Sequence, residues 1–592
     1  MFKKKLKQFT AIALVVAMTF SMAGCEKNRN SSSAKKEQEK FDTYLQESFE
    51  ESVTDDTVTL HYSIAHPENY GITPPEVTLG EVDFSEETLA EEVAEIEEEM
   101  KELEAFDYEL LTDDQQLTYD IVKDLLKTNL LSYDNPYLYE PFAYTSGLQS
   151  NLPITMSEYT FYDEDDVKDY LILLNQVPDY YQQCLDFEKV KSEKGFFMSD
   201  TSADEVIRQC QEYIADPENN LLIATFNDRI GDVPGMTPEK IEDYKKQNHD
   251  AVINSVVPAY ENVISTFESL KGTGKNDLGL VHFEGGADYY KYLLKSKVGT
   301  DKTPEEVITK LDAEIAEVMQ ELYGLAMVNY AAYEGYMTDY ESLYGDLDTV
   351  ETIRYFEDMC VDKFPEIPEI NFTVTPVHES LEGIVSPAFY MTPPMDDYAN
   401  NSIYINEGSD SASGLWSTLA HEGIPGHMYQ FVYFLSNDPE PLRTLLSFNG
   451  YQEGWATYVE LMSYDYYDKY ADEAYADIEA INGKLNLLVS ARIEIGVNYE
   501  GWNLEETANY MNTNGFNGEA AQEIMDYVIA EPGNYQMYVL GWLEFEELKE
   551  YAQEELGDKF NEVEFHKVIL DAGPCQFYIL EDLVKEYVKE NK

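Results

Sequence analysis

Residues 421–427, which read HEGIPGH, combine residue types that could hold a metal ion and activate a water molecule. They contain two of the chain's eight histidines. On a helix, His421 and Glu422 point to different sides, so the imidazole can bind a metal ion while the carboxylate reaches a water on that ion. The zinc peptidase pattern HExxH uses this arrangement, with its second histidine four residues after the first. The heptapeptide therefore indicates a zinc site with Glu422 as the general base.

The spacing of the two histidines is unusual. His427 follows His421 by six residues rather than four. On an unbroken helix six residues correspond to about 600° of rotation, which turns the two imidazoles roughly 240° apart. Pro425 has no N–H to donate to the carbonyl of His421, and Gly426 tolerates unusual backbone angles. We therefore expect an interruption here that lets both histidines face one ion. The alternative is a helix that ends at Pro-Gly and carries two unrelated histidines.

A third ligand is expected because a catalytic zinc ion usually has three protein ligands and one open position. The next carboxylate-bearing helix is predicted over residues 452–460, which read QEGWATYVE. Glu453 is the leading candidate ligand. Glu460 lies seven residues later, about two turns, and therefore on the same face of the helix. From there Glu460 could support a ligand rather than bind the ion itself.

Helical periodicity dominates the elements that must position this site. Amphipathic helices are predicted over residues 88–103, 167–185, 203–215, 238–270 and 304–326. A break is expected at Pro258, and Thr303 before Pro304 is typical of a helix start. Strand patterns are sparse and are clearest over residues 371–375 and 402–405. The predicted fold class is therefore mainly α, a large helical unit with a deep cleft between two lobes.

The N-terminus has the layout of a bacterial export signal. Residues 3–7 supply four lysines, and residues 11–22 form an apolar run too short to span a membrane. The sequence Met-Ala-Gly then leads into Cys25, an order that resembles a lipobox, where the signal is cut before a lipid-modified cysteine. We predict a signal peptide over residues 1–24, a flexible polar tether over 25–40 and a single, mostly helical catalytic domain over 41–592. An ordinary signal peptide with a chance cysteine is the alternative.

The net charge of −75 restricts the possible partners. So acidic a chain has no basic surface to neutralise phosphates, which excludes nucleic acid as a partner. It has no electrostatic hold on anionic lipid either, so membrane contact is expected through the N-terminal lipid only. Beyond Cys25 the cysteines are scattered without metal-type spacing, and buried free thiols are expected at Cys184, Cys210, Cys360 and Cys575.

Further segments accompany the heptapeptide, namely residues 453–460, 492–502, 532–541 and 565–581. Together with residues 421–430 they resemble the bacterial family known as domain of unknown function 885, whose hallmark is an HExxPGH motif. The resemblance runs from about residue 130 to residue 581. It implies a zincin-like helical metallopeptidase that hydrolyses peptides. By the same resemblance the zinc ligands would be His421, His427 and Glu453, and the general base would be Glu422.

Two departures from the family pattern fall in the C-terminal part of the chain. Where relatives tend to have Asp-x-Gly-x-His, this chain reads EIGVN over residues 494–498. Asn498 can form hydrogen bonds but does not titrate near neutrality, so a histidine's acid-base role is lost there. The family's Pro-Gly-Gln segment reads PGN over residues 532–534. Glu494 and Asn498 are therefore predicted to support the site rather than to react.

Three more residues have one interpretation in the site and another outside it. Tyr538 could donate a hydrogen bond to a developing oxyanion, as such tyrosines do in related metallopeptidases, or it could only pack. Arg492 could bind a substrate carboxylate, although an ion pair with Glu494 is favoured. For His566 a packing role in the core is favoured.

The sequence thus favours an exported, lipid-anchored zinc peptidase on the extracellular face of a bacterial cell membrane, with peptides as substrates. A lipoprotein that binds peptides or other solutes without catalysis would share the export signal, but such proteins usually have two α/β lobes. A zincin-like protein that has lost its catalytic activity and functions by binding is another alternative. Such a protein would not need Glu422 beside the metal. A metal amidase acting on a non-peptide substrate is a further alternative, which the sequence does not separate from a peptidase.

Replacing Cys25 tests the lipobox. The Cys25→Ala variant lacks the thiol that would accept lipid, so we expect it to be released from membranes into the soluble fraction. Membrane fractionation with immunoblotting measures this release, and Cys184→Ala serves as a cysteine variant that keeps the anchor. Unchanged membrane association of the Cys25→Ala protein would contradict the lipobox.

Overall fold

The computed structural model describes residues 29–339, 348–378, 386–408, 415–466 and 474–592. The predicted signal peptide and Cys25 lie outside these ranges. Within them the chain is mainly helical, as the sequence predicts. Among the described helices, none has the length and apolar character needed to cross a membrane.

The helices fall into a group before a small sheet and a group after it. The first group is α1 (Ser32–Val53), α2 (Thr57–Ser63), α3 (Glu86–Glu104), α4 (Asp113–Ser132), α5 (Leu148–Glu158), α6 (Glu164–Lys194), α7 (Asp200–Tyr213), α8 (Leu221–Arg229), α9 (Pro238–Ala251), α10 (Val257–Leu270), α11 (Gly286–Leu293), α12 (Pro304–Val328), α13 (Tyr330–Asp339) and α14 (Thr349–Cys360). The second group is α15 (Leu415–Glu422), α16 (His427–Ser436), α17 (Pro441–Thr444), α18 (Asn449–Ser463), α19 (Ala474–Ile495), α20 (Leu504–Thr513), α21 (Ala521–Ala530), α22 (Asn534–Leu556), α23 (Glu562–Ala572) and α24 (Phe577–Asn591). Single π turns occur at Val252–Val256, Leu294–Val298 and Gly496–Glu500.

The sheet consists of β1 (Asn371–Pro376), β2 (Ala388–Met391) and β3 (Asn400–Ile405), in the order β1-β3-β2. The central strand β3 runs parallel to β1 and antiparallel to β2. The two predicted strands correspond to β1 and β3. The sequence does not reveal β2, because AFYM over Ala388–Met391 has no alternation of apolar and polar residues.

The helix boundaries follow the signals in the sequence. The five predicted helical stretches correspond to α3, α6, α7, the pair α9 and α10, and α12. The expected break is present, since a π turn separates α9 from α10 and Pro258 lies in the first turn of α10. Thr303 caps α12 by accepting the N–H of Glu306, whose carboxylate accepts the N–H of Thr303 in return.

The predicted polar tether is wrong for residues 32–40, which form the first part of α1. The Ser31 hydroxyl accepts the N–H of Ala34 and starts the helix. Ala34, Phe41 and Leu45 are buried, and the Phe41 ring packs edge-on against Phe106 with centroids 5.0 Å apart. Ala34 is the one apolar residue in the polar run 32–40, so the sequence carries too little periodicity there to predict the helix.

Buried apolar side chains form several clusters. The largest gathers residues between Ile121 and Val588 and includes most of the second helix group. Another lies between Leu79 and Phe267, and a third joins residues 41–126 to Leu442. The four cysteines of the described ranges are buried free thiols, as predicted. Two lobes around a deep cleft stay a prediction.

Helices α18 and α22 approach each other closely at glycines. A Cβ atom on Gly454 would lie 2.3 Å from the carbonyl carbon of Gly541, and one on Gly541 would lie 2.1 Å from the carbonyl oxygen of Gly450. Only hydrogen atoms fit at these positions. The glycines therefore set the distance between α18, which carries Glu453, and α22, which carries Tyr538.

The Gly454→Ala variant tests this contact. The added methyl group would clash with the backbone of α22, so we expect a loss of roughly 1–3 kcal/mol in the free energy of unfolding. Thermal unfolding measures it. Gly324→Ala in α12 is the matched control, since its Cβ would meet nothing within 4 Å. That variant should gain up to about 1 kcal/mol from helix propensity, and equal stability of the two variants would contradict the role of Gly454.

Candidate metal centre

The predicted interruption between the two histidines is present. Helix α15 ends at Glu422, and α16 begins at His427. The N–H of Gly423 still donates to the carbonyl of Leu419 at 3.0 Å, but the N–H of Tyr429 reaches back six residues to the carbonyl of Gly423 at 3.2 Å. Because of this widened turn, the spacing of six residues no longer turns His427 away from His421.

Pro425 and Gly426 make the turn possible for two separate reasons. Pro425 lacks the N–H that a continuing helix would need. A Cβ on Gly426 would lie 1.8 Å from the carbonyl oxygen of His421, so no other residue fits there. The indole Nε1–H of Trp455 donates to the carbonyl of Pro425 at 2.8 Å and anchors the turn to α18.

The turn brings His421, His427 and Glu453 together, as predicted. One potential ligand atom from each lies within 4.8 Å of the others. Glu453 Oε2 is 3.5 Å from Nε2 of His421 and 3.4 Å from Nε2 of His427. The two imidazole planes stand at 82°, with ring centroids 4.8 Å apart. Two imidazole nitrogens and one carboxylate are the donors of many catalytic zinc sites, so the group fits that ion.

Glu460 supports the first histidine from behind. Its Oε2 lies 2.9 Å from Nδ1 of His421, and its Oε1 accepts the hydroxyl of Ser417 at 3.2 Å. With the Nδ1–H donated to Glu460, the lone pair of His421 lies on Nε2, on the side of Glu453. Glu453 and Glu460 thus use the same face of α18, as their spacing predicts.

The carboxylates of Glu453 and Glu460 favour a positive charge where the three candidate ligands meet. Burial opposes the charged form of His421, yet hydrogen bonds to Glu453 and Glu460 raise its pKa well above the ordinary value. Burial also opposes charge on Glu453, but His427 and His421 hold the pKa of its carboxyl well below the usual range. The group therefore stabilises a positive charge, carried by a proton or by a cation.

Glu422 lies beside the three residues and is held by the sheet. Its Oε2 accepts the backbone N–H of Tyr390 in β2 at 2.8 Å. Burial raises the pKa of the Glu422 carboxyl, although the nearby His421 and His427 oppose the rise. One carboxylate oxygen is thus fixed by the backbone of β2, which leaves the other oxygen to accept a proton.

Tyr538 faces the centre from α22. Its ring lies against that of His421, with centroids 6.3 Å apart and planes 25° from parallel. Burial, reinforced by Glu453, raises the pKa of the Tyr538 hydroxyl well above its ordinary value, so the hydroxyl keeps its proton. Tyr538 can therefore serve as a hydrogen-bond donor here.

The ion pair predicted between Arg492 and Glu494 is wrong. Arg492 donates from Nε to Asp312 at 2.8 Å and from Nη1 to Glu500 at 2.7 Å, and its guanidinium lies 4.6 Å from the ring centroid of Trp502. On an α-helix, residues two apart do not face each other, which explains why Arg492 and Glu494 separate.

Glu494 and Asn498 have structural partners. The Glu494 carboxylate accepts the N–H groups of Gly533 at 2.8 Å and Tyr535 at 2.7 Å, where α22 begins, and burial raises the pKa of Glu494 to about 7. Asn498 accepts the N–H of Leu280 at 3.1 Å and donates to backbone carbonyls. Glu494 thus fixes the start of α22, which carries Tyr538, whereas Asn498 ties the π turn after α19 to α21 through Val528. Neither belongs to the metal-ligand group, which is His421, His427 and Glu453.

His566 packs in the core, as the sequence favours. It stacks on Phe364 with ring centroids 4.4 Å apart, and its nitrogens contact the Lys363 carbonyl at 2.7 Å and the Tyr458 hydroxyl at 2.9 Å. Burial lowers the pKa of His566 to about 4, so it is neutral near pH 7.

Sequence reasoning misses the roles of Tyr390, Ser417 and Trp455. The role of Tyr390 lies in its backbone N–H, which no residue type reveals. The hydroxyl of Ser417, four residues before His421, could have been noticed, because i and i+4 share a helical face.

Solved structures with the same fold span almost the whole chain. "The crystal structure of the putative lipoprotein from Colwellia psychrerythraea" matches with a TM-score of 0.81 at 18% identity, covering 94% of this chain and 99% of that one. A "putative lipoprotein of unknown function from Shewanella oneidensis" matches with a TM-score of 0.61 at 15% identity, covering 94% and 100%. A "putative oligoendopeptidase F from Bacillus anthracis str. Ames" reaches a TM-score of only 0.28 at 12% identity, covering 86% and 96%. No curated protein matches the chain.

The family comparison covers all the site residues described above. The family described as "Bacterial protein of unknown function (DUF885)" matches residues 79–584. This range includes α15, α16, α18 and α22, which carry the metal-ligand group and Tyr538. The resemblance noted in the sequence is confirmed, and the chain belongs to the DUF885 family of bacterial proteins.

Proposed function

We propose that this protein is a zinc-dependent peptidase held at the extracellular face of a bacterial cell membrane by lipid on Cys25. The observation that carries the proposal is the convergence of His421, His427 and Glu453, within 4.8 Å of one another, beside a held Glu422. Export by the N-terminal signal would place the site among extracellular peptides.

The zinc ion would be held by His421, His427 and Glu453. Glu460 orients the first of these ligands through its hydrogen bond to Nδ1. When bound, zinc supplies a Lewis acid that lowers the pKa of water and polarises a carbonyl group. Three protein ligands leave room for water and substrate, which is the pattern of catalytic rather than structural zinc sites.

Two residues of the chain would move or stabilise charge during peptide hydrolysis. Glu422 accepts a proton from the water that attacks the peptide carbonyl and then passes that proton to the leaving amine. Its bond to the N–H of Tyr390 keeps the carboxylate oriented for both transfers. The Tyr538 hydroxyl donates a hydrogen bond to the carbonyl oxygen as negative charge develops there.

The alternative functions, solute binding and hydrolysis of a non-peptide amide, are less well supported by the candidate metal centre. A protein that only binds solutes has no use for a carboxylate held beside the metal-ligand group, and the mainly helical fold differs from two α/β lobes. A non-peptide amide would require the same chemistry as a peptide, so the choice between these substrates depends on experiment.

The Glu422→Gln variant tests the catalytic role of Glu422. The amide cannot accept the proton of water, so turnover should fall by roughly two to three orders of magnitude or more. Zinc content should stay near one ion per chain, because Glu422 is not a ligand. The measurements are metal analysis and cleavage of a peptide library with free and blocked termini.

Glu554→Gln, on the exposed side of α22, is the matched control and should behave as the unchanged protein. Near-normal turnover in Glu422→Gln would place the base elsewhere. Zinc binding without cleavage of any peptide would contradict the peptidase, and cleavage of a non-peptide amide alone would favour an amidase.

The Glu460→Gln variant tests the support of His421. Loss of the negative charge behind Nδ1 weakens the imidazole as a ligand, so zinc affinity should fall roughly 10- to 100-fold. Competition with a chelator measures the affinity. Ser417→Ala removes only the hydroxyl that donates to Glu460 and should cause a smaller loss. Equal zinc affinity in Glu460→Gln and the unchanged protein would show that Glu460 plays no such part.

A further inference from the structure

A cavity of about 540 Å³ is lined in part by residues of α18 and α22, the helices that carry Glu453 and Tyr538. Its walls are mainly apolar and include Leu138, Leu280, Phe283, Leu293 and Met537. Lys297, Asn449 and Glu531 add polar groups to this lining. The volume falls within the range of about 300–1,000 Å³ that is usual for ligand sites, and apolar walls with a few polar groups are typical of them.

Helix α18 links the cavity lining to the metal-ligand group. Asn449 begins α18 and precedes Glu453 by four residues, about 6 Å along the helix axis. A Cβ on Gly450 would lie 2.2 Å from the carbonyl oxygen of Val298, so the π turn that carries Lys297 packs directly on the start of α18. Met537, which also lines the cavity, directly precedes Tyr538 in the sequence of α22.

Lys297 is the one cation among the residues that line this cavity. Its Nζ lies 3.8 Å from Oε1 of Glu531, which is beyond hydrogen-bond distance. The other carboxylate in the lining, Glu140, is paired with Lys191 at 2.5 Å. Lys297 thus forms a long ion pair with Glu531 but no hydrogen bond to it, and its ammonium retains the capacity to bind a further anion within a mainly apolar site.

We infer that Lys297 binds the C-terminal carboxylate of a peptide whose last side chain is apolar and occupies this cavity. The inference rests on the proposed peptidase function and names its substrate class. The protein would thus cleave such a peptide near its C-terminus, with water adding across the amide and a proton passing to the released amine.

The experiment compares three forms of one apolar peptide, with a free C-terminus, with a C-terminal amide, and with a free C-terminus but an acetylated N-terminus. On the zinc-loaded full chain, the free acid should exceed the amide in kcat/KM by roughly 10- to 100-fold, as expected for a charge-assisted hydrogen bond. N-terminal acetylation should change little. Lys297→Met should abolish the preference mainly through KM. Lys295→Met, in the same π turn but paired with Asp301 at 2.7 Å, should keep the preference.

Equilibrium binding to the zinc-loaded Glu422→Gln variant separates this inference from the proposed function. Preference for the free acid in binding, without cleavage by the unchanged protein, would contradict the peptidase and still support the carboxylate site. Equal treatment of acid and amide, or a preference retained in Lys297→Met, would overturn the carboxylate site alone. Loss of activity on N-terminal acetylation would also overturn it, because the substrate amine would then be the group that is recognised, by Glu531.

Discussion

The metal-ligand group depends on one backbone constraint, the interruption between α15 and α16. Two histidines six residues apart cannot face one point from a regular helix, so the helix must stop between them. Pro425 stops it, and Gly426 lets the chain pass within contact of the preceding turn. The indole N–H of Trp455 in α18 satisfies the buried carbonyl of Pro425. Because α18 also carries Glu453, a single helix both secures the turn and completes the ligand group.

The part of the centre that the sequence predicts is the part set by local geometry. The rotation per residue of a helix is enough to see that His421 and His427 need a break, and that Glu453 and Glu460 share a face. Pro425 and Gly426 are residue types that interrupt a helix, so the sequence itself predicts the break. For the same reason the long amphipathic helices, the capped start of α12 and the break near Pro258 are predictable, because each is decided within a few neighbouring residues.

The rest depends on contacts between distant parts of the chain. Arg492 forms ion pairs with Asp312 and Glu500 rather than with Glu494, which is nearer in the sequence. Helix direction and tertiary packing place the first two carboxylates beside its guanidinium. Tyr390 acts through its backbone, so its residue type carries no signal. Helix α1 includes the polar residues 32–40, because Ala34 among them is buried in the fold. Each of these contacts joins two distant segments, so the sequence pattern of one segment alone does not predict it.

The glycine contact between α18 and α22 fixes the relative positions of two residues of the centre. Glu453 adjoins Gly454, and Tyr538 lies one turn before Gly541, so the carboxylate ligand and the hydroxyl donor are carried by two backbones in direct contact. Neither helix can slide or rotate without a clash, and the two side chains keep their separation. Any widening that admits a bulky substrate must therefore come from elements other than these two helices.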